Sequence, residues 1–570
     1  MWPSSLGRRG QSLENVMYTP VTLWEDFDGE QPLDLSVIRT SEQNQMSLTE
    51  VYFSGRETGG GRPRIYAVFA HALGADEHAP AVVLANDCDL TVDLDIMGYF
   101  CRRGYAVLMF DYAGEREKGR FTLYPECVSY ANFQRAGRHL RFAEPTAREN
   151  CFYEWTGVAR YAVRAAKALS GSEKIAFFGY RRGGLMAWHL AVLEPSLAAC
   201  GSLFFAGWER YQGRPKFDPA GSVMDMDDEI RRYLAGIAVE SYASFLKVPF
   251  LFLSGTNDDC TDMDRAYDTL HRVPEDCELI YEFSPRLYGL LSDRAAATLD
   301  LFLERQLKGR PLELPQSCEL SFEIRNKVPL LRLTSPGKEA EVKVYYAFDT
   351  VAPVERDWKS LKIMRIGEGV YEGAIPLRGA CSRVFAYANV TMENGMTQSS
   401  SFAVGDISSL AAPAAAGHVI YNGMMGEDSF TCYPVEGLKR QSDLFLSQVP
   451  VKMTEGPLGI AGVSGTVQSL ATYKLSGQAF RGEDENLFRF DVWSRQPQTL
   501  TVVFYADKGK ESEYVYRAEV KLLGGEIWQP VTLKKENFKA ADGRILKTWA
   551  VSMAAFLTER PAVFNNILWV

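Results

Sequence analysis

Apolar positions along this chain follow two rhythms, and the change between them divides it. From Val51 to about Gly309, short apolar runs alternate with longer stretches whose apolar residues fall three and four apart. That alternation predicts strands of a parallel sheet wrapped by helices. "RIYAVFAHA", "APAVVLAND", "YAVLMFDYAG", "KIAFFG", "AACGSLFF", "VPFLFLSGTNDD" and "CELIYEF" read as the strands. "NCFYEWTGVARYAVRAAKALSG" and "SDRAAATLDLFLERQLKG" read as amphipathic helices stopped by Gly171 and Gly309, and "MGYFCRRG" as a helix end with Gly104 beyond it. Between Gly207 and Ser241 a mixed acidic and basic segment, "MDMDDEIRRYL" at its centre, interrupts the rhythm and is expected to cap the strand ends.

Beyond "KGRPLELPQS" the period drops to two. "EVKVYYAF" and "SRVFAYANV", separated by Pro, Gly and Asn turns, predict a small β-sandwich over 317–406. An Ala-, Ser- and Pro-rich linker, "ISSLAAPAAAG", occupies 407–417. Residues 418–570 alternate again ("LFRFDVWS", "LTVVFYAD", "YVYRAEVKL", "IWQPVTL", "AVFNNILWV") and predict a second all-β unit, a jelly roll. The fold class is therefore α/β over 1–316, with an N-terminal extension, followed by two all-β domains.

Charge narrows the partners. A net charge of −10 supplies no basic surplus for nucleic acid. The longest apolar runs are strand-length, so no membrane span is expected, and "MWPSSLGRRGQSLENVMY" lacks the apolar core of a signal peptide. The ten cysteines form no C-x-x-C pair, which points to reduced thiols in a cytoplasm and to neither a metal site nor a redox cofactor. The expected partner is a small molecule or a protein.

The candidate chemistry lies in "IAFFGYRRGGLMAWHL". A G-x-S-x-G turn bends a strand into a helix and lifts a serine above the sheet. Here the turn reads Gly179-Tyr180-Arg181-Arg182-Gly183, with Gly184 next. An arginine donates only and is always charged, so Arg181 is neither nucleophile nor base. Together with "RRGYAVLMFDYAGE", "VPFLFLSGTNDDCTDMDRAYDTL" and "YEFSPRLYGLLSDRAAATLDLFLERQLKG", this turn makes residues of roughly 20–310 resemble the α/β-hydrolase superfamily, near acetyl xylan esterases, cephalosporin-C deacetylases and dienelactone hydrolases. The resemblance implies a serine at Arg181, an acid at Asp258, a histidine in the turn that holds Tyr288, and a His-Gly oxyanion loop where this chain has Asn86-Asp87. Of these only the acid remains. The six histidines (His71, His78, His139, His189, His271, His418) lie elsewhere in the pattern, with His189 eight residues along the helix that Arg181 precedes.

Two roles for Arg181 stand side by side. It fills an abandoned pocket as an ion pair with Asp258, offsetting its unfavourable place at a helix N-terminus. Alternatively, Arg181, Arg182, Asn86 and Asp258 form a ligand site in which the guanidinium grips a planar anion. "TNDDCTDMD" and "MDMDDEI" are expected to be solvated acidic helix starts, since the glycine and terminal Glu of a calcium loop are missing. Trp493, Trp528, Trp549 and Trp569 suit core packing or sugar stacking. "IWQPVTLKKENFKAADG" and "FNNILWV" resemble jelly rolls of the galactose-binding-like, carbohydrate-binding kind, and the sandwich resembles β-domains attached to esterase-like proteins. The expectation is a catalytically degenerate carbohydrate-esterase-like protein that binds a saccharide or an anionic small molecule, or acts as a scaffold through its β-domains. The alternative is a working carboxyl-ester hydrolase with a non-standard centre.

Overall fold

The structure, a computed structural model, describes residues 16–76, 78–219, 223–377, 381–410, 417–432, 451–465, 469–506 and 513–570. Its first unit is a nine-stranded sheet built from β1 (Ser36–Gln43), β2 (Met46–Ser54), β3 (Arg64–Ala72), β4 (Ala81–Ala85), β5 (Ala106–Phe110), β6 (Ile175–Tyr180), β7 (Ala199–Leu203), β8 (Phe250–Gly255) and β9 (Leu279–Ser284). Their order is β1-β2-β3-β5-β4-β6-β7-β8-β9. The pairs from β1 to β5 are antiparallel, and those from β5 through β4 to β9 are parallel. Helices α1 (Leu94–Cys101), α2 (Cys151–Ser170), α3 (Gly183–Leu193), α4 (Asp228–Gly236), α5 (Val239–Tyr242), α6 (Met263–Leu270) and α7 (Asp293–Lys308) complete the unit.

The central strands are apolar without alternation because both faces are covered. Val82 and Leu84 of β4 pack in the core shared with α1 and α7, while Ala81, Val83 and Ala85 face the core shared with α2 and α3. Local signals set the helix ends. Asn150 caps α2 by accepting from the Phe152 amide at 2.9 Å, and Gly171 ends it at φ +61°. Ser292 and Gly309 play the same parts for α7.

The second unit is a sandwich of a four-stranded sheet, which includes Val328–Thr334, and a five-stranded sheet around Glu339–Phe348 and Arg383–Met392. The third has a six-stranded sheet around Val563–Trp569 and a four-stranded sheet around Gln498–Ala506. Trp549 and Trp569 are buried in its core, whereas Trp528 is half-buried and donates its indole N–H to the Pro457 carbonyl. Most of the linker, 411–416, lies outside the described residues.

The sandwich docks against β9 and α6. Edge-strand amides of β9 at Tyr281 and Phe283 donate to Gln398 Oε1 (3.2 Å) and Ser399 Oγ (2.9 Å), and Asn389 donates to the Phe283 carbonyl (2.9 Å). Trp358, Phe385 and Tyr387 join the same apolar cluster as Phe252 of β8 and Tyr267 of α6. At its heart Arg356 grips Asp264 with two hydrogen bonds of 2.5 and 2.6 Å, both side chains fully buried. Among the described residues no helix is long and apolar enough to cross a membrane.

Two expectations need correction. The sheet begins earlier than Val51, with the β1–β2 hairpin; β1 is almost wholly exposed and so carries no apolar alternation. The acids of "TNDDCTDMD" are not a solvated group. Asp262 does cap α6, but Asp258 and Asp264 are completely buried, because the sandwich covers the helix start from the other side.

Candidate functional site

The site forms where the parallel strands end, the place at which open α/β sheets usually take ligands. Strand β6 turns into α3 within three residues, and that turn leaves no room for side chains on its glycines. A Cβ on Gly179 would lie 2.0 Å from the Gly183 carbonyl oxygen, and one on Gly183 would lie 2.5 Å from that of Ala85. Arg181 at the apex adopts φ +51°, a strained value for a residue with a side chain. Its amide donates to the Leu203 carbonyl (2.8 Å), and its carbonyl accepts from Gly184 (2.7 Å).

The guanidinium points at the loop after β8. Nη2 lies 3.4 Å from Asp258 Oδ2 and 3.2 Å from Asp259 Oδ1, and Nη1 donates to Cys260 Sγ at 3.1 Å. Asp258 also accepts from the amides of Cys260 (2.8 Å) and Gly289 (2.9 Å). Tyr288, in the turn where the resemblance implies a histidine, donates its phenol to Asp259 Oδ2 (2.8 Å), and its ring lies 5.3 Å from the guanidinium. Burial pushes the Asp258 carboxyl up to about 6 against the pull of Arg181. Burial also drives the Cys260 thiol far above its ordinary value, with Arg181 opposing, so it stays protonated. One oxygen of each acid and the Cys260 sulfur lie within 4.8 Å of one another, a spacing that suits a cation, and Arg181 brings its own charge there.

Arg182 turns the other way, toward the loop after β4. It donates to Cys88 Sγ at 3.5 Å and lies 3.9 Å from Asp87 Oδ1. That loop is occupied with itself. Asn86 Oδ1 accepts from the Asp87 amide, Asp87 Oδ1 accepts from the Cys88 amide, both at 2.9 Å, and Asn86 Nδ2 donates to the Thr91 carbonyl. Two amides of the loop where an oxyanion hole is expected are thus turned to local side chains. Burial raises Asp87 above the usual carboxylate range, with Arg182 opposing.

Above Arg182 the segment after β7 walls a cleft with Trp208, Glu209, Tyr211, Gln212 and Arg214, while Asp258, Asp259 and Cys260 line it below. Trp208 holds φ +63°, and its indole N–H donates to Thr269 Oγ1. Arg265 lies over Tyr211 at 4.2 Å. They fall in the 207–241 segment expected to cap the strand ends, but "WERYQGRP" singles out none of them, and only the fold brings them to Arg182. Nothing in sequence order suggests the third unit either, yet Glu513 lines the outer cavity, and Asp258 and Asp259 add to the burial that raises the Tyr473 phenol.

Among the described residues, no histidine lines this cleft or the adjoining cavity. His189 is a core residue: it bonds Thr156 Oγ1 (3.0 Å) and the Ile237 carbonyl (2.8 Å), stacks on Tyr242, and burial pulls it down to about 3.

The sequence matches no family model and no curated protein. Solved structures similar to part of the chain include acetyl xylan esterase 1 from Thermoanaerobacterium sp. JW/SL YS485, 15% identical over 49% of this chain and 88% of that one, with a TM-score of 0.37. An acetyl xylan esterase from Paenibacillus sp. R4 is 14% identical over 49% of this chain and 90% of its own, also at a TM-score of 0.37. Est1E from Butyrivibrio proteoclasticus is 15% identical over 45% and 99%, at 0.31. These likenesses are too slight to carry activity. The strand order itself, with the antiparallel β3 beside β5 and the tight glycine turn between β6 and α3, gives residues 36–308 the α/β-hydrolase fold.

Proposed function

We propose that this protein is a non-hydrolytic relative of carbohydrate esterases whose cleft, together with the outer cavity it adjoins, binds a saccharide. The observation that carries the reading is the state of the nucleophile position. Arg181 is committed to Asp258, Asp259 and Cys260, so it stands as a built-in cation in place of a reacting group. A serine–histidine pair provides much of a hydrolase's rate, and variants lacking it retain only about 10³–10⁴ over water.

The cleft favours a neutral polyhydroxylated ligand over an anion. Arg182 and Arg214 on its walls, with Arg181 beside them, are countered by Glu209, Asp258, Asp259 and Asp262, so a net anion gains little. Donors and acceptors on its walls, Arg182, Glu209, Gln212, Arg214 and Asp259 among them, suit sugar hydroxyls.

The test is turnover of p-nitrophenyl acetate and acetylated xylo-oligosaccharides by the purified chain beside Arg181→Ala, with calorimetric titration of unacetylated oligosaccharides. The expected result is no hydrolysis above the variant, together with binding that weakens in Arg182→Ala. Turnover that depends on Arg181 would overturn the reading and favour an ester hydrolase with an unconventional centre.

A further inference from the structure

A second cavity, of about 480 Å³, lies where all three units meet. Its walls come from the segment after β7 (Pro215, Asp218), from the sandwich (Tyr346, Phe348, Lys359) and from the jelly roll (Ser476 to Arg481). Its size falls in the range of about 300–1,000 Å³ usual for small-molecule sites.

Two observations tie it to the cleft over Arg181. First, Pro215 and Ala352 line both spaces, so the two adjoin. On the other side, Arg182, Glu209, Gln212, Arg214 and Asp259 line both the cleft and an outer cavity of about 640 Å³. The cleft itself is small, about 90 Å³, and so forms a throat between two larger chambers. Second, Phe348 and Phe480 add apolar ring surface beside the charged groups Asp357, Lys359 and Arg481. Rings next to hydrogen-bonding groups match a sugar, which has apolar faces and hydroxyl edges.

We propose that the outer cavity, throat and junction cavity are subsites of one furrow that takes a linear, uncharged oligosaccharide, with one end seated at the junction. This rests on the saccharide reading above and extends it from a single sugar to a chain. The junction carries Asp218, Asp349, Glu355 and Asp357 against Lys359 and Arg481, an acidic surplus that opposes a polyuronate.

The test is calorimetric titration with neutral xylo- and cello-oligosaccharides from disaccharide to hexasaccharide. Wild type is compared with Gln478→Trp, a plug at an exposed position on the junction wall. Thermal unfolding checks that the variant is folded. Wild type is expected to gain roughly tenfold in affinity with length, about the worth of one ring contact. Gln478→Trp should abolish that gain without changing disaccharide affinity. Disaccharide binding with no gain on lengthening, or a full gain in folded Gln478→Trp, overturns the furrow and leaves the saccharide reading intact. Failure of every oligosaccharide to bind brings down both.

Discussion

Replacing Arg356 by methionine tests whether the sandwich is a working part of the first unit. The guanidinium makes two hydrogen bonds to Asp264, donates from Nε to the Thr350 carbonyl (2.9 Å) and from Nη2 to that of Val351 (3.2 Å), and lies 3.6 Å over the Phe385 ring. Methionine keeps some ring contact but strands a fully buried carboxylate, which costs about 3–5 kcal/mol. Losing the donors to two carbonyls moves the expected loss toward the upper end of that range. Urea unfolding followed by tryptophan fluorescence reads the change, with the midpoint falling and the slope preserved if the transition stays two-state. Adding Asp264→Leu removes the stranded charge and should recover stability to within about 1–2 kcal/mol of wild type. The effect also reaches the cleft, because Asn257, next to Asp258, donates to the Arg356 carbonyl at 2.9 Å and to that of Val354 at 3.2 Å. A single variant that loses less than about 1 kcal/mol, or a double variant no better than the single, would refute this account of the docking.

Two further substitutions probe the turn and the buried acids. Gly179→Ala puts a methyl group 2.0 Å from the Gly183 carbonyl oxygen and 2.5 Å from the Gly184 amide nitrogen; a stability loss of at least about 2–3 kcal/mol is expected, and near-wild-type unfolding would mean the turn is looser than described. Glu282, in β9 behind the docked sandwich, accepts from Ser292 Oγ at 3.0 Å, while its other oxygen is buried without a partner, and burial pushes its carboxyl up to about 7. The native state therefore holds a proton that the unfolded chain releases, so stability falls as pH rises from the ordinary glutamate value through about 7. Glu282→Gln should flatten that fall in thermal midpoint between about pH 5 and pH 8, and an unchanged slope would show that other groups set it.

What the sequence reveals here depends on burial. Strands such as Ala81–Ala85 and Ile175–Tyr180 are covered on both faces, so they appear as unbroken apolar runs. The exposed β1 has no such signature, and the short strands Val451–Glu455, Ala461–Gly465 and Ser469–Thr472 leave too few residues for alternation to stand out. At the site, the glycine frame and the arginine at its apex are readable because local backbone geometry demands the glycines. The surroundings of Arg181 are legible only in part. The resemblance points to Asp258 and the turn of Tyr288, whereas Asp259 and Cys260 reach Arg181 from more than 70 positions away with no signal of their own. Asp264 illustrates the same limit: an acid at a helix start looks solvated until its arginine arrives from another domain.

The treatment of β9 bears on how the chain avoids self-assembly. A terminal strand with free amides is a template for another molecule's strand and a seed for fibrils. Here the side chains of Gln398, Ser399 and Asn389 occupy that edge, bonding it without extending the sheet. The sandwich is thus an intramolecular stopper. A fragment ending at the last helix of the first unit would uncover the edge together with the apolar surface around Phe283 and Tyr267, and is expected to polymerise more readily than the intact chain.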